Sequence, residues 1–270
     1  ASDPADYSIG TTSLTIPAGS TTATTTVTTQ DDPVSEGTET VIIDISSVSG
    51  GDSAVEASPA QQQTISITDD EANPSVTLST STNSLNETGA GDNATLTVTM
   101  NPVASSATTV TLALSGTATG GGSDYSIDNT VLTIAAGVAT ATATINAQDD
   151  PYYDDGETII VDINSVSGGN SATESGSQQE ILTFNDNEIQ PTVSLTVDGN
   201  SMGETGGSVT LTATLSYANS ASTSVTLGTS GTATNSTDYN LSSSTITIAA
   251  GNTTGTATLS SVGDTISDPA

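Results

Sequence analysis

The chain has 270 residues, of which 31 are Asp or Glu and none is Lys, Arg or His, so its formal net charge is −31. Nucleic acids and anionic membranes are bound through Lys and Arg, so this composition excludes both as partners. It also excludes a nucleophilic triad, because no His or Lys is present to act as the base. We therefore expect a non-enzymatic protein.

The composition also bears on the fold and its surroundings. Apolar residues make up 33% of the chain and aromatic residues 3%, which is low for a globular core, and there is no Cys to form a disulfide. Abundant Thr, Val and Ile in alternating patterns favour thin β-sandwiches over disorder. No apolar run approaches the roughly 18 residues of a membrane span. Because the charge repels itself unless cations or salt screen it, a calcium-rich or saline exterior fits best.

A repeat of about 115 residues organises the chain. QDDPVSEGTETVIIDISSVSGG at 30–51 and QDDPYYDDGETIIVDINSVSGG at 148–169 agree at 14 of 22 positions, at an offset of 118. Asp-Tyr recurs at Asp6, Asp124 and Asp238. The register predicts three units: 1–71 is the C-terminal part of unit 1, 72–188 is a complete unit 2, and 189–270 is the N-terminal part of unit 3.

The simplest interpretation of the two partial units is that this sequence is a segment of a longer array of repeats. The alternative is that neighbouring chains complete each other's sandwiches by strand addition, which would build a filament. The expected partners are therefore neighbouring repeats of the same chain or other copies in a filament. A cell-surface or glycan target is compatible with the sequence, which does not specify one.

Unit 2 contains seven segments that alternate or run apolar and β-branched, with Gly, Asn, Asp and Ser between them. They are Ser75–Thr80, Ala94–Met100, Thr108–Leu114, Thr130–Ile134, Ala139–Ala147, Thr158–Asn164 and Glu180–Phe184. Seven short strands in a unit of this length are typical of an immunoglobulin-like sandwich. The predicted fold class is all-β, with tandem antiparallel sandwiches arranged head to tail.

Acidic side chains gather in the loops of unit 2 at positions separated by two predicted strands. Since two strands of an up-and-down path return the chain to the end it left, eight acids are expected at one end of the sandwich. They are Glu87, Asp124, Asp149, Asp150, Asp154, Glu157, Asp186 and Glu188. So many carboxylates disfavour folding without a cation, and about six to eight oxygen ligands suit Ca²⁺. Zn²⁺ is disfavoured without Cys or His ligands. The alternative is a set of solvated acidic loops.

The combined motifs resemble the Calx-beta domain. They are Glu-Thr-Gly, Gly-Thr-Ala-Thr followed by Asp-Tyr, Ile-Ala-Ala-Gly, Gln-Asp-Asp with an acidic Gly-Glu, and Asn-Asp-Asn-Glu. The resemblance implies an immunoglobulin-like sandwich that binds Ca²⁺ at one end. Such domains act as regulatory sensors in sodium–calcium exchangers and as tandem repeats in many bacterial and other extracellular proteins.

The resemblance implies Ca²⁺ ligands in every unit. In unit 2 they are Glu87, Asp124, Asp149, Asp150, Asp154, Glu157 and Asp186, with Asn187 and Glu188 standing where the family often has further Asp. In unit 1 they are Asp6, Asp31, Asp32, Glu36, Glu39, Asp69 and Asp70. In unit 3 they are Glu204, Asp238, Asp264 and Asp268. Gly263 stands where unit 3 should have the first Asp of a pair, which implies a weaker site.

The links between units are short, since only two residues separate Glu71 from Pro74 and two separate Glu188 from Pro191. The first strand of each unit must run towards its own acidic end, so the acidic end of one unit should lie against the opposite end of the next. Ca²⁺ would then stiffen the joints of a linear rod. The leading hypothesis is a calcium-stiffened extracellular spacer, adhesin stalk or surface filament on a bacterial exterior. The alternatives are a calcium-sensing regulatory module and a carbohydrate-binding module, the latter weakened by the lack of Trp.

Overall fold

The computed structural model describes residues 6–88 and 92–263, and all its regular elements are β-strands. No described residue belongs to a helix that is long and apolar enough to cross a membrane. Asp264 and Asp268, two predicted ligands of unit 3, lie outside the described residues.

The strands are grouped by the repeat unit in which they lie. Unit 1 contains β1 (Tyr7–Ile9), β2 (Val27–Thr29), β3 (Val34–Ser35), β4 (Glu39–Asp44) and β5 (Gln62–Ile67). Unit 2 contains β6 (Ser75–Thr80), β7 (Ser84–Asn86), β8 (Asn93–Asn101), β9 (Val103–Ala104), β10 (Thr108–Gly116), β11 (Tyr125–Ile127), β12 (Val131–Ile134), β13 (Thr140–Ala147), β14 (Thr158–Gly168), β15 (Thr173–Glu174) and β16 (Gln179–Asn185). Unit 3 contains β17 (Val193–Val197), β18 (Ser208–Leu215), β19 (Thr223–Thr226), β20 (Tyr239–Leu241), β21 (Thr245–Ile248) and β22 (Thr254–Ser261).

Unit 2 is a sandwich of two five-stranded sheets, in the orders β12-β10-β14-β16-β7 and β11-β13-β8-β6-β15. Alternation along the strands builds its core. On β8 the apolar residues Ala94, Leu96, Val98 and Met100 are buried, whereas the Thr residues between them are only half-buried. The Phe184 ring stacks on a second buried ring, that of Tyr125, inside this core. The predicted all-β sandwich is confirmed.

Two strands of unit 2 change sheets part of the way along. β13 and β10 run towards the acidic loops; β11 is antiparallel to β13, and β12 is antiparallel to β10. β11 and β12 therefore run in one direction on different sheets and act as a single strand. β6 and β7 are related in the same way. This is why three strands separate Asp124 from Asp149, where two were predicted, and the chain still returns to the same end.

The sheets also contain two parallel pairs, which the antiparallel prediction did not include. β7 lies parallel to β16, and β15 lies parallel to β6. The crossing strands keep their direction, which places β7 beside β16 and β15 beside β6 in parallel, whereas β11 and β12 meet antiparallel neighbours. All the other strand pairs of the two five-stranded sheets are antiparallel.

The partial units have smaller cores. Val41 is the one buried apolar side chain in the described part of unit 1. Ile45 is 44% exposed, whereas its unit 2 counterpart Ile163 is 7% exposed. The described part of unit 1 contains no counterparts of β6, β8 and β10, and in unit 2 Leu112 of β10 is the residue that pairs with Ile163. Unit 3 retains a small core that includes Leu215, Ile246 and Ile248.

The units are arranged head to tail. At the joint between units 1 and 2, β3 pairs in parallel with β9, and the Ser105 N–H donates to the Ser35 carbonyl at 3.0 Å. At the joint between units 2 and 3, Tyr153 forms a parallel bridge with Asn219. In both joints an acidic loop meets the end of the next unit that lies opposite the acidic loops of that unit. The predicted order of the ends agrees with the structure.

Candidate metal sites

The structure brings the eight predicted acids of unit 2 to one end of the sandwich, here called the acidic end. Glu87 follows β7, Asp124 precedes β11, and Asp149 and Asp150 follow β13. The others flank the start of β14 or the end of β16; they are Asp154, Glu157, Asp186 and Glu188. The acidic end is therefore built from four separate segments of the chain.

Six of these acids form two compact groups. One oxygen from each of Asp124, Asp154 and Glu157 lies within 4.8 Å of the others, and we call this group the Glu157 trio. The same holds for Glu87, Asp186 and Glu188, which we call the Glu188 trio. These distances bring three carboxylate oxygens of each trio within reach of a single cation.

Backbone N–H groups hold several of these carboxylates in place. Asp186 accepts hydrogen bonds from the N–H groups of Asp154 and Glu188, each at 2.7 Å. Asp124 accepts a short hydrogen bond from the Thr119 N–H. The acids are thus fixed by the loops themselves, as a preorganised site requires.

Burial and mutual repulsion raise the pKa of several of these groups. Glu87 is 2% exposed, and its burial, together with the charges of Asp154 and Asp186, raises its pKa to about 8. Burial raises the pKa of Asp154 to about 6, with the Asp150 charge as the next cause. The cluster therefore strongly disfavours its fully ionised form.

Two further groups of the acidic end have raised pKa values. Burial and the neighbouring Asp124 carboxylate raise the pKa of Glu157 to about 7. Close contact with the Asp186 carboxylate, followed by burial, raises the pKa of Glu188 to about 7. Two carboxylates in such contact need either a shared proton or a cation between them.

The donor set fits a hard cation. Among residues 6–88 and 92–263, the buried side-chain oxygens without a hydrogen-bond partner are Oε2 of Glu157 and Oε2 of Glu188, one in each trio. The sequence contains no Lys, Arg or His to pair with them. Unpaired buried acceptors are costly, and carboxylate oxygens are the ligands that Ca²⁺ prefers. The residues present are thus suited to Ca²⁺.

Asp149 and Asp150 belong to neither trio. Asp149 accepts a hydrogen bond from the Asn187 side chain at 3.1 Å, and Asp150 accepts one from the Tyr152 N–H at 2.8 Å. The charge of Asp150 nonetheless raises the pKa of three trio members, Glu87, Asp154 and Glu157. Asp150 thus adds to the negative potential of the acidic end without joining either group.

Unit 1 repeats this arrangement with differences. It contains two compact acidic groups, one of Asp6, Glu36 and Glu39 and one of Asp31, Asp70 and Glu71. The Asp69 carboxylate accepts the N–H groups of Glu36 and Gly37, and the Asp32 carboxylate accepts the Val34 N–H. The predicted acids of unit 1 are therefore also gathered at one end.

Glu71 was not among the residues predicted from the sequence. The register contained the signal, because Asp69-Asp70-Glu71 aligns with Asp186-Asn187-Glu188 at an offset of 117. Asp70 faces Asp31 where unit 2 has the hydrogen-bonded pair Asn187 and Asp149. The second acidic group of unit 1 therefore carries one more charge at this position.

Unit 3 brings fewer acids together within its described residues. Glu204 is exposed and Asp238 is half-buried, and the described residues place neither in a compact acidic group. Asp238 repeats the local geometry of Asp124, since its carboxylate accepts the Thr234 N–H at 2.6 Å. A Cβ built on Gly263 would lie 3.4 Å from the Glu204 carbonyl oxygen, so this glycine lies next to Glu204.

The chain resembles known proteins at two levels, a family model and individual solved structures. The family model described as the Calx-beta domain matches residues 1–71, 69–188 and 186–270. No curated protein sequence matches significantly. The chain is similar to the calcium binding domain CBD12 of CALX1.1, with 17% identity over 67% of this chain and 73% of that one, at a TM-score of 0.34.

Two other solved structures are similar at the same level. The apo form of the Calx CBD1 domain is 15% identical over 42% of this chain and 98% of its own, at a TM-score of 0.34. A putative carbohydrate binding protein from Bacteroides ovatus is 12% identical over 56% of this chain and 50% of its own, at a TM-score of 0.30. With three successive matches that span its length, the chain belongs to the Calx-beta family.

Proposed function

We propose that this chain is a non-enzymatic, calcium-stiffened repeat array that acts as a spacer, adhesin stalk or surface filament outside a bacterial cell. The observation that carries the proposal is the position of the acidic end of unit 2. Its two trios lie beside the loop that docks on unit 3, and each contains a buried oxygen without a partner among the described residues. A cation bound there acts on the joint as well as on the unit.

The residues that would hold calcium are the members of the two trios. Ca²⁺ is bound by about six to eight oxygens, and each trio offers three carboxylates that can bind through one or both oxygens. Zn²⁺ would find none of its preferred Cys or His ligands. Mg²⁺ keeps most of its waters and rarely enters an all-protein cage.

The contact between Asp154 and Ser220 links the ion site to the next unit. Asp154 belongs to the Glu157 trio, and the nearby Ser220 hydroxyl of unit 3 acts to lower the pKa of its carboxylate. Tyr153, one residue earlier, forms the bridge to Asn219. An ion that fixes Asp154 therefore also restricts the backbone at the joint. Repetition of such joints would give a stiff rod.

The composition supports a role outside the cell. Without Lys or Arg, the chain presents no site for trypsin-like proteases, and its charge of −31 demands abundant cations. The acids that could act as catalytic carboxylates are the same groups that would hold calcium, which leaves them unavailable as general acids. Both points favour a structural module over an enzyme.

Calorimetric titration of Ca²⁺ into the whole chain tests this proposal. Extracellular calcium modules have dissociation constants of roughly 10⁻⁴ to 10⁻³ M, whereas sensors lie nearer 10⁻⁷ to 10⁻⁵ M. We expect the weaker range, with little change in overall dimensions by small-angle scattering. Submicromolar affinity with a large change in shape would favour the sensor. If calorimetry detects no binding of Ca²⁺, the acids are solvated loops and the proposal is wrong.

A further inference from the structure

We propose that the joint between units 2 and 3 contains a binding site for a neutral saccharide. A cavity of about 330 Å³ lies there, here called the joint pocket. Its lining residues are Pro151, Tyr153, Asn187, Glu188, Ile189 and Tyr217. Its size is at the small end of ligand pockets, which span roughly 300–1,000 Å³.

The joint pocket concentrates aromatic side chains that are scarce elsewhere. The whole chain has six Tyr, one Phe and no Trp, and two of these seven rings line this one cavity. Tyr217 is 54% exposed and Ile189 is 70% exposed, so packing in the core does not account for them. Exposed apolar side chains gathered around a cavity are typical of a binding surface.

The first joint shows that the repeat does not need these side chains. Its residues at the places of Tyr153, Tyr217 and Ile189 are Ser35, Pro102 and Ala72. Ser35 is buried there, and its carbonyl accepts a hydrogen bond from the Asn170 side chain at 2.6 Å. Small residues are thus enough to dock one unit on the next. The two tyrosines are a property of the second joint alone.

The chemistry of the lining matches a sugar ring. The two Tyr rings, with Pro151 and Ile189, line the pocket with apolar surface of the kind that packs on the C–H face of a pyranose. The Tyr hydroxyls and the Asn187 amide offer hydrogen bonds to its hydroxyls. Asn187 donates one N–H to Asp149, which leaves its other N–H and its carbonyl oxygen for a ligand. A few polar groups among apolar walls are the usual composition of a ligand pocket.

Charge selects a neutral ligand over a charged one. An anionic sugar is disfavoured, because the formal net charge of the chain is −31 and no Lys, Arg or His lines the pocket to pair with it. Aromatic faces beside a carboxylate also suit an organic ammonium ion. However, Glu188 belongs to a trio that would bind calcium, a step that rests on the proposed function, and its charge would then be neutralised. The amide and hydroxyl donors serve sugar oxygens and give nothing to an ammonium group.

Ligand-observed NMR and calorimetry on the whole chain, in saturating Ca²⁺, test this inference. The probes are methyl glycosides of neutral hexoses, short neutral oligosaccharides, choline as an organic cation and glucuronate as an anion. We expect at least one neutral glycoside to bind. Tyr153→Ser and Tyr217→Ser should each weaken its affinity about tenfold, a loss of about 1.4 kcal/mol. Tyr152→Ser is the matched control, because this neighbour faces Gly251 and does not line the pocket.

Each variant is also titrated with Ca²⁺ and melted, so that failure of the pocket is distinguished from failure of the metal site. Variants that bind calcium and melt like the unaltered chain but no longer bind the glycoside would support the inference. The absence of neutral glycoside binding by the unaltered chain would overturn it, as would binding of choline alone. Binding that survives both substitutions would place the site elsewhere. Tyr217→Phe keeps the ring at an exposed position and should retain most of the affinity.

Discussion

The backbone N–H of Asp154 donates a hydrogen bond to Oδ2 of Asp186 at 2.7 Å and so joins the loop before β14 to the end of β16. The same bond recurs in unit 1, where the Glu36 N–H donates to Oδ2 of Asp69 at 3.1 Å. The loop that docks on the next unit is therefore positioned by a carboxylate of the acidic end. Changes of charge at the acidic end should therefore alter the position of the loop that docks on the next unit.

Glu157→Gln should remove the part of the stabilisation by calcium that comes from the Glu157 trio. Glu157 is a member of a trio and carries one of the buried oxygens without a partner within the described ranges, so a neutral amide removes a ligand charge. We expect the calcium affinity of unit 2 to fall at least tenfold, as measured by calorimetry. Asp162→Asn is the matched control: Asp162 lies on β14, bonded to Gln179 rather than in the cluster, and its replacement should leave binding intact. Equal losses from both variants would contradict the assignment of the site.

Without calcium, stability should fall as the pH rises from about 4.5 to about 8. The pKa of Glu87 is raised from 4.5 to about 8, so within this window the folded chain holds a proton that the unfolded chain has lost. The free energy of unfolding therefore decreases with pH, and the raised pKa values of Glu157 and Glu188, each about 7, act in the same direction.

The check is thermal unfolding in EGTA at several pH values between 4.5 and 8.5. Glu87→Gln should flatten the pH dependence, because a neutral amide has no proton to lose. Saturating Ca²⁺ should also reduce the decline, since the ion replaces the protons. Ion-free stability that rises over this window would contradict the raised pKa of Glu87.

Ser220→Ala should loosen the joint between units 2 and 3 while leaving both sandwiches folded. The change removes the hydroxyl that lies near the Asp154 carboxylate and acts to lower its pKa. We expect a broader distribution of distances between units 2 and 3 in saturating Ca²⁺, measured by paired spin labels on the two units. Ser224→Ala, on an exposed position of β19, is the control. An unchanged distribution would show that this contact does not transmit the effect of the ion.

Asn187→Asp should make unit 2 more dependent on calcium. The substitution removes the amide bonded to Asp149 and recreates the pairing of Asp70 with Asp31 in unit 1. Without calcium the added repulsion should lower the melting temperature, and with calcium the additional ligand should tighten binding. Asp70→Asn in unit 1 is the reciprocal variant, with opposite effects expected. If Asn187→Asp binds calcium no more tightly than the unaltered chain, residue 187 is not part of the calcium site.

Much of the fold could be predicted because the repeat aligns the two acidic segments and strand alternation is strong in unit 2. β7, β9, β11 and β15 were missed, since strands of two or three residues are too short for alternation to reveal. β7, β11 and β15 are edge strands of the two sheets, and β9 pairs with β3 across the joint between units 1 and 2, so long-range pairing decides their positions.

The gathering of the acids could be predicted from the strand count, but their grouping could not. Whether Asp150 joins a trio depends on which N–H its carboxylate meets, and that is a property of the folded loop. The pair of Asn187 and Asp149 and the contact of Asp154 with Ser220 likewise depend on how loops and units dock. Glu71 is different, because the repeat register alone was sufficient to find it.

Thermal unfolding of the whole chain in Ca²⁺ and in EGTA, at equal ionic strength and neutral pH, tests the central claim most directly. At a Ca²⁺ concentration about 100 times the dissociation constant, binding to the folded state contributes about 2.7 kcal/mol. We expect the melting temperature to be higher in Ca²⁺ by roughly 10 °C, with Mg²⁺ giving a much smaller shift. Equal melting temperatures in Ca²⁺ and EGTA would contradict a structural role for calcium.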